Sequence, residues 1–376
     1  MKKNYTVRPY HSGDEEEIVE LLELVFDGWP KFDLDCTSLD HWKWKYLDNP
    51  LKTSFIALGV CEDGIIGVNH SIPHRIKIGD DVLLGTYGSD LAVHLGFRQI
   101  GVKTRTHDLK EEMRKPAGIS VTYSVSGNPI VVQSRLRRGR PMFPHPVINL
   151  VRIRDIDRQI RAMPVKHAWL TKRGFNAVRT INDIQNVFRA SGGVDEGLRV
   201  REIRAFDERI ESFWDEVSKH YGFIVERNMD HLNWRYCDPR AGGFIIKQAE
   251  NEGGDVHGYI VIKINRYRKD YPIGFIADLI TLPDRLHVAD LLVVDAMRYF
   301  DASDVNIVNF LVPKNHPHEN VMRRNGFLNS GIKLQLFFNP EDDENVLDRL
   351  KSFTPDRVHF SYGDIDSFPV GMPDYR

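Results

Sequence analysis

One aromatic-rich phrase occurs twice in this chain, and that repetition constrains the fold more than any other feature. Residues 40–50 read DHWKWKYLDNP, and residues 230–240 read DHLNWRYCDPR. Asp40, His41, Trp44, Tyr46 and Asp48 return as Asp230, His231, Trp234, Tyr236 and Asp238, and Lys45 returns as Arg235, all at a spacing of 190 residues. The text after each phrase also runs in parallel. FIALGVCEDGIIGVNHSI (55–72) is answered by FIIKQAENEGGDVHGYIVIKI (244–264), YGSDLAV (87–93) by GFIADLIT (274–281), and GNPIVVQSRLRRG (127–139) by KNHPHENVMRRNG (314–326). The spacing shrinks to 188 between Asp90 and Asp278 and to 187 between Asn128 and Asn315, as small loop deletions would produce. A period this long is far beyond a solenoid, so the repeat implies two related globular domains in tandem.

The 376 residues suffice for two such domains, and 41% hydrophobic with 28% charged residues is a globular composition. A formal charge of −2 supplies no global basic field, so nucleic acid is not an expected partner. Cys36, Cys61 and Cys237 are too widely spaced for a disulfide framework or a zinc site, and no metal is expected. The start MKKNYTVRPY has no apolar stretch of the signal-peptide kind, and no run of about 18 apolar residues predicts a membrane span. A cytoplasmic protein without membrane partners is the expectation.

Periodicity orders the elements. YTVRPY alternates as a strand, and SGDEEEIVELLELVF reads as an amphipathic helix with Ser12 as N-cap and Asp14 to Glu17 at the positive end of its dipole. A second helix over LDHWKWKYLDN is stopped by Pro50. Three strands follow (54–63, 64–79, 82–94), then a helix ending before Pro116, a strand over 118–126 and a helix ended by Gly139. The second copy repeats this order from LRVREIRAF to HENVMRRNG. Because the middle strands follow one another directly, the fold class is α/β in the α+β sense: two tandem domains, each a mixed, mostly antiparallel sheet flanked by helices. The expected bounds are 1–155 for the first domain, 156–196 for a helical linker, 197–340 for the second domain and 341–376 for a packed C-terminal tail.

The chemistry concentrates where a strand meets a helix, in SDLAVHLGFRQIGVKTRTHDLKEEM (89–113). Amide groups at a helix start have no partners within the helix, and its dipole favours negative charge there. Gly101 permits close backbone approach, and Arg98 and Lys103 add positive charge. Arg98, Gln99, Ile100, Gly101, Val102, Lys103 and Thr104 thus form a pyrophosphate cradle.

This element order, with R-x-x-G-x leading into a helix, resembles the GNAT acyltransferase superfamily, whose phosphate loop reads Q/R-x-x-G-x-G/A. Arg98 and Gly101 match it, and Lys103 replaces the last small residue. The resemblance spans both copies, nearly the whole chain. It implies that SDLAVH is the strand whose open backbone pairs with pantetheine, with Leu91, Ala92 and Val93 along the CoA arm. The closing Asn…Gly segment appears as Asn128…Gly139 and as Asn315…Gly326-Phe327, and Asn128 joins the cofactor-binding set. Aligned on the two aspartates, Gly101 falls on Ala289 and Asp290 brings a carboxylate, so the second copy is expected to be degenerate and the first to bind acyl-CoA.

Two readings stand for each singled-out residue. Trp44 and Tyr46 form either core packing or a wall of the acceptor site. Asp90 is either a hydrogen-bonded structural acid, echoed by Asp278, or the base that deprotonates the attacking amine. His70, His74 and His94 are further candidate bases or simply satisfied histidines. Many members of the superfamily carry an acidic tyrosine seven residues after the closing Asn; here that position is Arg135, and Met322 in the second copy. Arg135, Arg137, Arg138 and Arg140 read as a solvated helix end or as contacts to the 3′-phosphate of CoA. The implied activity is N-acyl transfer from acetyl-CoA to a primary amine of a small molecule or amino sugar, with Asp90 as the catalytic candidate. A Fem-type aminoacyl transferase, which lacks a phosphate loop, and a non-catalytic CoA or metabolite sensor are the alternatives. Oligomeric state is left open.

Overall fold

The computed structural model describes residues 4–162, 197–340, 344–365 and 368. The first repeat supplies β1 (Thr6–Pro9), α1 (Glu15–Phe26), α2 (Ser38–Tyr46), β2 (Phe55–Cys61), β3 (Gly64–Ile78) and β4 (Asp81–Val93). It continues with α3 (Val102–Arg114), β5 (Val121–Ser126), α4 (Pro129–Arg137), β6 (Val147–Ile153) and α5 (Ile156–Ala162). The second supplies β7 (Leu198–Ile203), α6 (Arg209–Val217), β8 (Phe223–Val225), α7 (Met229–Leu232), β9 (Ile245–Asn251), β10 (Val256–Asn265) and β11 (Ile273–Thr281). After these come α8 (Leu286–Ala302), β12 (Ile307–Pro313), α9 (Pro317–Arg324), β13 (Leu328–Pro340) and α10 (Glu344–Ser352). The expected linker lies outside the described residues from 163 to 196.

These elements pack into two compact units that do not follow sequence order. Unit 1 comprises Met1–Pro144, Gly222–Gly243 and Gln335–Phe353, and unit 2 comprises His145–Tyr221, Phe244–Leu334 and Thr354–Arg376. Bounds drawn from the repeat therefore differ from the packing, which exchanges short segments between the copies.

In unit 1, β1 to β4 form an antiparallel meander, β5 runs parallel to β4, β8 pairs with the end of β3, and the Gln335–Pro340 half of β13 pairs with β5. Helix α1 buries Ile18, Val19, Leu21 and Leu22 on one face, as its 3–4 spacing requires. Its N-cap is Asp14, where Ser12 was expected. The Asp14 carboxylate is held by Arg8 at 2.6 and 2.8 Å and accepts the His11 amide at 2.8 Å.

The repeated phrase gives α2 two working faces. Trp42 and Tyr46, at i and i+4, enter the core beside Ile18, Leu22, Leu58 and Val68. His41 and Trp44 turn to the second copy of the phrase, which also belongs to unit 1 and runs as α7 followed by a π-helical turn, Asn233–Cys237. The Trp44 and Trp234 rings stack with centroids 5.2 Å apart. Each indole N–H donates to the other residue's carbonyl, at 2.9 and 3.2 Å. His41 Nδ1 donates to the Arg240 carbonyl at 2.7 Å, and Arg240 reaches Asp48 at 2.7 Å. The two copies of the phrase thus pack against each other.

In unit 2, β7, β9, β10 and β11 are antiparallel, β12 runs parallel to β11, β6 pairs with β12, and the first half of β13 pairs with β6. Helix α8 presses Val288, Leu292, Val293, Ala296 and Phe300 onto the core. The expected tail divides. Helix α10 belongs to unit 1, while Val358, Phe360, Tyr362, Ile365 and Phe368 are buried in unit 2.

Two predictions follow from this packing. A fragment of residues 1–155 lacks β8, the second phrase and the β13 half that pairs with β5, so it should be molten or aggregated by near-ultraviolet circular dichroism. A cooperative melt like that of the full chain would contradict the exchange. In unit 2, burial, reinforced by His359, pushes His318 down to about 3, and burial holds His316 well below the usual range. An unfolded histidine titrates near 6.5, so between that pH and about 3 the unfolded chain takes up protons that the folded unit excludes. Stability present above the window is lost as pH falls through it, by up to about 1.4 kcal/mol per pH unit for each histidine. Melting temperatures at pH 7 and 5 should show this drop, and the His316→Gln, His318→Gln pair should make it shallower.

Candidate functional site

Strands β4 and β5 are paired only from Gly85/Val121 to Tyr87/Tyr123. Beyond that vertex, where the two tyrosine rings stand 5.2 Å apart, β4 runs on to Val93 and β5 to Ser126 as diverging strands. The backbone edge of β4 past Tyr87 is therefore open, as expected for the 89–94 strand.

A bulge sets the direction of that edge. On β3, His70 faces Ser89 and Val68 faces Ala92, so Asp90 and Leu91 together oppose Asn69. Asp90 takes a left-handed conformation, φ +36°, which costs a non-glycine residue about 1–2 kcal/mol. Its contacts outweigh that cost. The carboxylate accepts from Lys45 Nζ at 2.6 Å and from the Tyr46 hydroxyl at 2.5 Å, and hydrogen bonds to charged groups contribute about 1.5–3 kcal/mol each. The Asp90 carbonyl accepts from His70 Nδ1 at 2.9 Å, and His70 Nε2 accepts from Trp42 Nε1 at 3.1 Å.

This wiring bears on the candidate bases. Burial acts to raise the pKa of Asp90, but the Lys45 ammonium outweighs it, and the carboxyl is held well below the usual carboxylate range. Such a group accepts a proton poorly, which supports the reading of Asp90 as a hydrogen-bonded structural acid over that of a base. Burial pushes His70 down to about 4, and both ring nitrogens are engaged. His94 Nδ1 accepts the Gly96 amide at 3.2 Å, capping the turn Leu95–Phe97. His74 packs near Tyr123 and His231. Of these four residues, Asp90 and His70 meet, through the Asp90 carbonyl.

The segment read as a phosphate cradle is a short turn, Leu95–Phe97, followed by the start of α3. His94 N–H donates to the Ile66 carbonyl at 2.9 Å, so by strand alternation the Val93 amide points out of the open edge and the Ala92 amide towards β3. Gln99 (φ +69°) and Gly101 (φ +95°) turn the chain into α3, whose first turn has no side-chain cap. Val102 fixes the helix start against the sheet. A Cβ on Gly59 or Gly67 would come within 2.8 or 2.5 Å of its Cγ1. Tyr5 donates to the Ile100 carbonyl at 3.1 Å and carries Arg105 over its ring. Arg98, Lys103 and Thr104 are exposed. Asn128, assigned to the cofactor, spends its side-chain oxygen capping α4 through the amides of Ile130 and Val131 at 2.9 and 3.3 Å. Arg135 lies over the Phe337 ring at 5.0 Å, while Arg137 and Arg138 are exposed around the helix end.

The second repeat departs from this pattern at each point. Asp278 lacks the left-handed backbone and accepts from His359 Nε2 at 2.8 Å, Ser361 at 3.3 Å and Tyr259 at 3.2 Å. Tyr362 and Phe368 pack against Phe275, so the C-terminal segment lies against side chains of β11. The expected match of Gly101 with Ala289 shifts. Val288 takes the place of Val102, approaching Gly258 as Val102 approaches Gly67, and His287 stands where Gly101 does. Ala289 is buried, and Asp290 bonds Asn325 at 2.7 Å in place of capping the helix.

Sequence reading missed Lys45 and Trp42, while the engaged His70 matches its alternative as a satisfied histidine. The available signal was the spacing of Trp42, Lys45 and Tyr46 along one helix face opposite an acid in an apolar strand. A Gly101→Asp substitution places a charge and a Cβ, 3.3 Å from the Tyr5 hydroxyl, at a positive φ in the cradle. It should reduce CoA affinity at least about 100-fold by calorimetry, whereas His287→Asp should leave it unchanged. Equal loss from both would contradict a cradle confined to the first repeat.

No protein-family model and no curated protein matches the chain. Among solved structures, Saccharomyces cerevisiae N-myristoyltransferase with bound myristoyl-CoA matches at TM-score 0.59 and 11% identity, over 90% of this chain and 79% of that one. A conserved protein of unknown function from Enterococcus faecalis V583, described as a probable N-acyltransferase, matches at TM-score 0.58 and 9% identity, over 90% and 73%. At such identity the likeness is one of fold: the tandem GNAT-like fold implied by the sequence is the fold of this chain.

Proposed function

We propose that the chain is an acyl-CoA-dependent N-acyltransferase that passes an acyl group, acetyl in the simplest case, from the CoA thioester directly to a primary amine of a small molecule. The observation that carries this reading is the meeting, in unit 1, of an open parallel-strand edge with an uncapped, glycine-led helix start. The α3 amides with Arg98 and Lys103 take the pyrophosphate, and the edge from Gly88 to Val93 takes the pantetheine arm. Among the described residues, Leu91, Leu95, Ile100, Ile130, Val131 and Leu136 are six of the nine exposed large hydrophobic residues, and an apolar ligand arm along these segments would cover them. The Val93 amide is the donor for the thioester oxygen as it becomes an oxyanion; one such donor is worth about 100- to 1000-fold in rate.

The amine attacks the carbonyl carbon, the C–S bond breaks, and the thiolate leaves with an ordinary pKa near 8.5, so its protonation can follow from water. The amine must arrive neutral. With Asp90 ion-paired and His70 engaged, it loses its proton to solvent or to the substrate itself. The profile of kcat/KM should therefore rise with pH and level off above the acceptor's own amine pKa. That limb should move when acceptors of different pKa are compared and should persist in Asp90→Asn. A limb fixed across acceptors and abolished in Asp90→Asn would restore Asp90 as the base.

Calorimetry with CoA, acetyl-CoA and longer acyl-CoAs, followed by turnover with an amine panel, tests the reading. Failure to bind any CoA thioester contradicts it. The engagement of both candidate bases also favours a second reading, a CoA-binding sensor, which predicts binding without turnover.

A further inference from the structure

We propose that Lys45 is a positioning residue for acyl transfer: through Asp90 it holds the bulge in β4 that decides which backbone amide faces the open edge. Successive amides along a strand point to opposite sides, so one extra residue in a bulge reverses every amide after it. With the bulge, the Ala92 amide points to β3 and the Val93 amide points out. Relaxed to a regular ladder, the strand would turn Val93 inward. The bulge rests on a left-handed aspartate, and that aspartate rests on α2.

Three α2 side chains hold it, and they do different things. Trp42 fixes His70, which holds the Asp90 carbonyl, and Tyr46 gives the carboxylate one hydrogen bond. Lys45 alone brings a charge to a carboxylate whose side chain is only 15% exposed. The ammonium, itself 5% exposed, is enclosed by the Tyr46 ring at 5.2 Å and the Trp29 ring at 5.6 Å, so it cannot swing away to solvent. With its nitrogen bonded to Asp90 and enclosed by these rings, Lys45 is not placed to act as an acyl acceptor. The chain contains its own comparison. Asp278, held by His359 and Ser361, has an ordinary backbone, and the bulge of its strand falls one residue earlier, between the pairs Val261/Asp278 and Ile262/Ile276.

The kinetic arm of the test rests on the acyl-CoA reading; the exchange arm does not. In the full chain, Lys45→Met should raise amide hydrogen exchange across residues 88–94 at least about tenfold while leaving 55–61 unchanged. It should keep the Kd for CoA within about threefold and lower kcat about 100-fold, because the phosphate cradle is untouched and the carbonyl donor is lost. Lys45→Arg, which keeps the charge, should recover kcat to within about tenfold of wild type. If the wild type shows no transfer, the function reading fails and the exchange arm still decides the proposal. Unchanged exchange in Lys45→Met overturns it. So does a loss of CoA binding parallel to that of kcat, or acylated Lys45 in peptide mass spectra of protein incubated with acetyl-CoA. Should Lys45→Met fail to fold, Tyr46→Phe carries the same test with a smaller effect, and no change in exchange or kcat there overturns it.

Discussion

An ion pair between Lys45 and Asp90 fixes a left-handed residue in the strand that borders the candidate site, and the geometry of the site follows from it. The pair is worth having because its alternatives are costly. A nearly buried carboxylate without its ammonium would cost about 3–5 kcal/mol, and the backbone strain it offsets is smaller than that. The carbonyl of the same residue is tied to His70, and His70 to Trp42, so side chain and backbone are both anchored in α2 and β3. The direction of the open strand edge is thus set by helix packing and not by the strand alone.

The two repeats show how one sequence pattern supports two outcomes. Both press a helix start against a glycine of the sheet, Val102 on Gly67 and Val288 on Gly258. Neither helix has a side-chain cap, but only the first is led by a glycine. In the second, a histidine replaces the glycine and the C-terminal segment lies against side chains of the strand through His359, Tyr362 and Phe368. The phrase that revealed the repeat has diverged in role as well. Its first copy holds Asp90, and its second, within the same unit, pairs with it through Trp44 and Trp234.

Much of this was legible in the sequence because it is local. The strand ending near His94, the turn at Gly101 and the start of α3 are each encoded by a few adjacent residues. So is the mixed sheet, through the alternation of its strands. What was not legible is set by non-local choices. Residues 222–243 pack in unit 1 although they follow the second copy's order, because two similar copies offer nearly equivalent local signals and only the packed core decides. β8 spans three residues, too few for periodicity to show. Asp14 and not Ser12 is the N-cap residue of α1, and its carboxylate makes no cap bond but is engaged by Arg8, six residues away. Asn128 matched a motif for cofactor contact but is used as a helix cap. The role of Asp90 turned on a single neighbour, Lys45, 45 positions away in sequence.

The central claim is that one open strand edge and one glycine-led cradle, both in the first repeat, form the ligand site. Hydrogen-exchange mass spectrometry of the full chain with and without saturating acyl-CoA tests it most directly. Protection should appear over residues 88–104 and be absent over 277–290. Protection over 277–290, or none over 88–104 at a ligand concentration that saturates binding, would contradict the account.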